Sequence, residues 1–337
     1  MVCSFFLGAN TPKGFYSLFS ELESFDLSVI KGGCGSGKST LIHKLIDKTN
    51  YSGICEKILC ASDLSSLDGA VFHSLNRAVV DGTSPHTADV KGLGKYILTP
   101  PPTIDMEGKR SLIAALKAAK AKAYADAYSS LLGYYNATNR VKELIPFDNE
   151  HFTHRADGII KREGKNKHTG GKVYHRFIDT ISADGIVTLW DTVEKLAQKL
   201  YVINDSFNLA SDFFNELERG FSSMGYEVYS CLSPFNTDKI RHLIIPELSL
   251  GFVTSDDLSQ YNGDSFRRIH ASSCIDREAM RAVRYKVRVY EKLSAQMLDD
   301  TIESLKNARL AHAELEAVYR PYLDIDALNR LAATENI

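Results

Sequence analysis

Gly32-Gly33-Cys34-Gly35-Ser36-Gly37-Lys38-Ser39 follows the apolar run Leu27 to Lys31 and precedes Leu41, Ile42, Leu45 and Ile46 at helical spacing. The run reads as a buried strand and the spacing as a helix, so eight residues fitting G-x-x-x-x-G-K-[ST] stand between strand and helix, the context in which that pattern cradles phosphates. Glycines let backbone N–H groups turn inward, the start of the helix adds its positive end, and the Lys38 ammonium reaches the β and γ phosphates. Ser39 is the expected Mg²⁺ ligand, Thr40 a capping and packing residue, and Cys34 a small filler. The whole stretch Gly32, Gly33, Cys34, Gly35, Ser36, Gly37, Lys38, Ser39 and Thr40 is therefore the expected binding loop for a nucleoside triphosphate. The absence of an N/TKxD stretch favours ATP over GTP.

A magnesium ion on phosphates needs a second anchor. Arg77-Ala78-Val79-Val80-Asp81 is a hydrophobic strand ending in a carboxylate, so Asp81 is the expected support of the ion. The residue after it is Gly82, where many ATPases have a glutamate that positions water. Asp63, after a second strand over Lys57 to Ala61, is the expected substitute because that strand should end near the γ phosphate. Asp68 and His86 are lesser candidates. Lys38, Asp63 and Asp81 thus form the expected catalytic set.

The chain also repeats itself. Phe6 to Glu23 lies ungapped on Phe177 to Glu194, matching Phe6 with Phe177, Gly14 with Gly185, Phe19 with Trp190 and Glu23 with Glu194. Leu27-Ser28-Val29-Ile30 then meets Leu200-Tyr201-Val202-Ile203, Cys60 meets Cys231, and Ala78-Val79-Val80 meets Gly251-Phe252-Val253. Ile113 to Lys117 is paired with Ile302 to Lys306. Residues 1–150 form the half with the intact loop, 151–171 a basic linker or lid, and 172–337 a degenerate repeat with C-terminal helices. In that repeat the loop reads Asn204-Asp205-Ser206-Phe207-Asn208-Leu209-Ala210-Ser211-Asp212, without glycine or lysine, and Thr254 stands where Asp81 stood. Two acids and two bulky side chains there oppose phosphate. Paired copies raise the prospect of an arginine given across their interface, for which Arg241, Arg267 and Arg268 are candidates.

Strands alternating with helices predict an α/β fold of two tandem three-layer domains with mainly parallel sheets, ligands gathering at the strands' carboxyl ends, plus helical extensions over Lys109 to Leu132 and Arg277 to Tyr319. A length of 337 residues agrees with two domains. Forty basic against 42 acidic side chains exclude a whole-surface nucleic-acid or membrane footprint and leave only local patches. No run approaches the roughly 18 apolar residues of a spanning helix, and the first residues lack a basic signal region, so the expected location is cytoplasmic, without a membrane. Six cysteines without a CxxC pair suggest buried thiols. From Thr153 to Arg176 seven Lys or Arg, three His and only two acids form a glycine-containing segment, read as a lid over phosphates, a nucleic-acid contact or a solvated linker. Arg277 to Lys292 carries six bases against two acids and is a second patch without an aromatic platform.

With the loop, its degenerate copy, Asn10-Thr11-Pro12-Lys13-Gly14-Phe15-Tyr16, Cys60-Ala61-Ser62-Asp63, Asp81-Gly82-Thr83-Ser84-Pro85-His86 and Ile244-Ile245-Pro246-Glu247-Leu248 in view, the chain resembles a bacterial family of tandem P-loop ATPase-like proteins over most of its length. The resemblance implies nucleotide binding and no particular substrate. Family members usually carry a phosphate loop in each half, and this chain departs from them in its second. Three activities follow as expectations: an Mg-dependent ATPase with a nucleotide-inactive partner half, a small-molecule or nucleotide kinase using Asp63, and a nucleotide-gated binding module without turnover.

Overall fold

In the computed structural model, residues 1–84, 94–101, 108–167 and 170–335 are described. The first half runs β1 (Val2–Phe5), β2 (Gly8–Thr11), β3 (Gly14–Ser17), β4 (Asp26–Lys31), α1 (Lys38–Lys48), β5 (Cys55–Leu59), β6 (Leu67–Phe72), β7 (Arg77–Asp81), β8 (Lys95–Leu98) and α2 (Arg110–Leu144). Two short helices, α3 (Asn149–Thr153) and α4 (Arg155–Glu163), lead into the second: β9 (Val173–Arg176), β10 (Asp179–Ser182), β11 (Gly185–Thr188), α5 (Trp190–Leu196), β12 (Lys199–Asn204), α6 (Ser211–Ser223), β13 (Val228–Ser233), β14 (Asn236–Ile245), β15 (Leu250–Ser255), β16 (Arg267–His270), α7 (Arg277–Tyr319) and α8 (Ile325–Thr334).

The fold is α/β with two six-stranded mixed sheets, ordered β1-β5-β6-β7-β4-β8 and β9-β13-β14-β15-β12-β16. The two orders are the same order. Each sheet has its outer pairings parallel and its β5-β6-β7 or β13-β14-β15 meander antiparallel. Even unusual backbone recurs: Gly14 and Gly185 have φ of 101° and 93°, and Asn76 and Ser249 have φ of 51° and 47°.

Register corrects two of the expected equivalences. Phe5 pairs with Ile58 and Arg176 with Cys231, so Cys231 corresponds to Ile58 and not to Cys60. Ile302 packs midway along the helices with Leu131 and Leu298, whereas Ile113 lies at the far end with Leu116 and Leu315, so these two are not equivalent either. Both errors follow from helix and turn lengths that differ between the copies.

The copies meet around a local two-fold axis. Phe6 N donates to Phe177 O at 2.8 Å and Phe177 N to Phe6 O at 2.9 Å, a bond pair between equivalent residues. Ser4 N donates to Thr192 Oγ1 at 2.9 Å, and its counterpart His175 N donates to Glu21 Oε2 at 3.0 Å. One continuous apolar core runs through this junction, from Phe5, Phe19 and Leu27 to Phe177, Phe213 and Phe252. A second cluster of buried residues, around Leu41, Ile42, Leu45 and Phe72, lies apart from it.

The long helices complete the assembly. Leu116 packs with Leu315, Leu131 with Leu298 and Val141 with Val287, so α2 and α7 lie antiparallel and each ends at the other half. The alanine-rich sequence of α2 permits that close approach. Asp276 caps α7, accepting from Glu278 N at 2.9 Å and Ala279 N at 3.2 Å, and Pro321 follows its end. The C-terminal α8 then packs on α1, burying Leu328 and Ala332 against Leu41, Ile42 and Leu45, so a segment expected with the second half closes the core of the first.

Candidate functional site

The loop between β4 and α1 takes the path its glycines require. Gly35 and Gly37 have φ of 67° and 78°, the left-handed region where a side chain is costly, and Gly37 stands at the start of α1. Ser36 is buried beneath the loop, its hydroxyl accepting from Thr99 Oγ1 at 2.9 Å. Lys38 Nζ donates to Gly33 O at 2.9 Å and lies 3.7 Å from Asp81 Oδ2. Asp81 is brought there because β7 pairs with β4, matching Ile30 with Asp81. Its other oxygen accepts from Thr83 N at 2.8 Å and from the Thr83 hydroxyl.

The missing glutamate after Asp81 has a steric reason. A Cβ on Gly82 would lie 2.2 Å from Val29 Cγ1 and 3.0 Å from Lys31 Nζ, so no side chain fits at that position without displacing the loop strand. Ser39 Oγ accepts from Leu67 N at 2.9 Å, tying α1 to the β5-β6 turn, and Thr40 is exposed.

Asp63 follows β5 and its carboxylate turns back on its own loop. β5 is separated from β4 by β6 and β7, and the exposed Asp63 carboxylate accepts from Ser65 N at 3.1 Å and Ser65 Oγ at 2.7 Å, closing its own turn. Its charge still reaches the site, since it is one of those acting on His312. Asp68 is buried in β6, and His86 lies outside the described residues.

Sequence reasoning missed the groups that α2 and α7 bring to the loop. Ligand atoms of Cys34, His312 and Glu316 all lie within 4.8 Å of one another, and Lys120 Nζ is 3.0 Å from His312 Nδ1. Burial, then the charge of Lys120, lowers the His312 pKa, which keeps the imidazole neutral. The tautomer that accepts from Lys120 on Nδ1 carries its proton on Nε2, 3.5 Å from Glu316 Oε1. Burial, then Glu316, raises the Cys34 thiol. These three side chains have metal-ligand chemistry, but the ammonium on Nδ1 opposes a cation at that ring. The signal in the sequence was His312 and Glu316 one helical turn apart, a pattern common on solvated faces and uninformative until α7 is known to end at the loop. Above them Tyr319, Leu323 and Leu328 cover Gly35 and Gly37, and the Lys38 side chain is only 12% exposed.

The second half keeps the loop and fills it. Asn208, the counterpart of Gly35, has φ of 56°, but Ala210, in place of Gly37, has φ of −81°. Asp205 turns its carboxylate into the loop, accepting from Leu209 N at 2.9 Å and Ala210 N at 2.8 Å. Burial raises its pKa against these bonds.

The arginine candidates do not reach the phosphate loop. Arg241 is buried between Asp179 and Asp256, at 2.7 and 2.8 Å. Arg267 and Arg268 precede the start of α7, whereas Cys34 meets His312, about 50 Å further along that helix at 1.5 Å per residue. The basic segment is no loose lid either: α4 buries Ile159 and Ile160, Gly171 N donates to Ser222 O at 2.9 Å, and Arg176 is wholly buried on Glu56, its Nε donating to Glu56 Oε2 at 2.7 Å. All six cysteines are free thiols, and no described helix is long and apolar enough to cross a membrane. Compared with known protein families, with characterised proteins and with solved structures, the chain matches none.

Proposed function

We propose that the chain is an Mg-dependent ATP-binding P-loop nucleoside triphosphatase whose second half is nucleotide-inactive and acts as partner. The observation that carries this reading is the pairing of the Lys38 ammonium with Asp81 at 3.7 Å, at the mouth of a loop turned by two left-handed glycines. The donor set suits the ion: the Ser39 hydroxyl and the Asp81 carboxylate are hard oxygen ligands, and Mg²⁺ takes its remaining positions from phosphate and water. Bound there, it would neutralise charge on the transferred phosphoryl group. Lys38 and the amides at the start of α1 bind the phosphates.

In this reading α2 and α7 supply what Gly82 cannot. Glu316, held through His312 by Lys120, orients the attacking water and takes its proton while the bond from the γ phosphorus to the ADP oxygen breaks, and the Lys120 charge lies beside the developing negative charge. Access requires the α7–α8 corner to move off the loop, which couples nucleotide to the far half through α7. The same cover favours one second reading, the nucleotide-gated module in which binding shifts α8 without turnover.

Isothermal titration with Mg-ATP and a phosphate-release assay test this. The wild type should bind and slowly hydrolyse ATP, Lys38→Ala should lose binding by about 100-fold or more, and Glu316→Gln should bind normally yet release phosphate at least about tenfold more slowly. Binding without hydrolysis selects the gated module. No binding by the wild type removes both readings.

A further inference from the structure

A second polar site lies at the opposite end of α7. Between α4 and the β16 edge is a cavity of about 520 Å³ into which Arg155, Arg162, Arg267, Arg268 and His270 converge, and no acid lines it. Part of this charge is anchored: Arg162 Nη2 donates to Tyr201 OH at 2.8 Å, Arg155 to Ser273 Oγ at 3.2 Å, and Arg268 to Tyr261 O at 3.0 Å. Those bonds aim the guanidinium groups, and apart from Arg162, which pairs with Glu163, none of the four meets a carboxylate among the described residues. Arg155, Arg267 and Arg268, like charges around one hollow, repel each other, and an anion is what would offset them.

The cavity continues into a stripe. Ser273, on its wall, lies four residues before α7 begins, and Arg277, Arg281, Arg284, Arg288 and Lys292 then recur on one face of that helix, all exposed and without an acidic partner among the described residues. Tyr285 sits within the stripe and is 80% exposed, and Phe266, next to Arg267, is 57% exposed. Phe266 packs edge-on to Tyr201 at 5.2 Å and carries the Lys199 ammonium over its ring at 4.1 Å, so the ring open to a base here is Tyr285. A single phosphate needs a pocket; a pocket followed by about 22 Å of basic helix at 1.5 Å per residue, with an exposed ring on it, fits a chain of phosphates carrying bases.

We infer that this surface binds single-stranded nucleic acid, phosphodiesters lying in the arginine cavity and along the α7 stripe with a base stacked on Tyr285. The inference does not rest on the nucleotide reading, since no residue is shared with the loop.

Fluorescence anisotropy of the full-length chain with a labelled oligothymidylate of about 20 nucleotides tests it. Binding should weaken with salt, and Arg267→Glu with Arg268→Glu should reduce affinity at least about tenfold and flatten the salt dependence by about 1 to 1.5 in log–log slope. Tyr285→Ala should lower affinity about five- to tenfold with the slope unchanged, which a charge-only contact would not give. Lys38→Ala should bind the oligonucleotide as the wild type does. Thermal melting of each variant checks that it is folded, and the exposed Arg281→Glu with Arg284→Glu provides a second pair if the β16 pair is not. No binding, binding indifferent to both charge pairs, or displacement by inorganic phosphate or a mononucleotide at the concentration of competing oligonucleotide phosphate would overturn the inference.

Discussion

The two loops that follow β4 and β12 share a position, a neighbouring helix and, at Gly35 and Asn208, a left-handed backbone. They differ in what meets their amides. In the first, the glycines put no side chain among the amides, and Tyr319, Leu323 and Leu328 cover the loop from outside; in the second, the Asp205 carboxylate is already bonded to Leu209 N and Ala210 N. An internal carboxylate does there what a phosphate does in a working loop, at no cost in association entropy. The second half thus keeps the course of the loop without its glycines, because Asp205 holds the amides from within.

The same divergence is visible at the two-fold axis, and there the largest effect is expected. Arg176 binds Glu56, while their counterparts Phe5 and Tyr229 stack at 5.1 Å with ring planes 7° apart. Burial disfavours the Glu56 charge, but Arg176 and a hydrogen bond with His73 overcome this and hold its pKa at about 2. Arg176→Leu removes the cation paired with that buried carboxylate, leaving it to His73 and to the Tyr229 hydroxyl at 3.0 Å, and should cost about 3–5 kcal/mol in denaturant unfolding. Because the folded pKa is depressed, the stabilisation is full above the ordinary value of 4.5 and is lost as pH falls towards about 2, so the gap between wild type and a Glu56→Gln variant should narrow across that window. Arg176→Phe with Glu56→Tyr, which repeats the aromatic pair, should recover at least half of the single-variant loss; failure to recover any would show that the two contacts are not interchangeable halves of one junction.

Asp205 gives the next largest. Asp205→Ala strands two buried amides and should cost about 1–3 kcal/mol. If the carboxylate stands in for an anion, phosphate or sulfate should raise the melting temperature of the variant more than that of the wild type. An equal response would mean that the filled loop is merely a turn.

Much of this organisation was legible beforehand because local chemistry dictated it. Gly32 to Ser39 and the Asp81 strand declared themselves, since left-handed turns and a strand-end carboxylate leave residue-level marks, and the repeat from Phe6 to Glu23 survived without a gap. What depended on distant pairing was not legible. The surroundings of Asp63 were not legible, because nothing in Lys57 to Ala61 tells that its strand pairs parallel with β1 and antiparallel with β6. His312 and Glu316 were invisible for the same reason: their meaning comes from the antiparallel course of α7 along α2. The arginines sought across the interface proved to be about one helix length away.

The smallest effect tests the loop comparison most directly. If Gly35 and Asn208 occupy one backbone geometry, Gly35→Asn should be tolerated better than Gly35→Ala, because an asparagine side chain can hydrogen-bond locally in the left-handed region and alanine has no such compensation. Either Cβ would meet Tyr319 Cβ at 3.0 Å, so that contact is common to both variants and the difference isolates backbone preference. About 0.5–1 kcal/mol in favour of asparagine is expected from melting or urea titration. Gly37→Ala should be worse than either, since its Cβ would lie 2.6 Å from Leu328 Cδ2 at a φ of 78° that Ala210 avoids in the second copy. Should asparagine at 35 prove no better than alanine, the left-handed Asn208 is a product of the filled loop and not an inheritance of the open one.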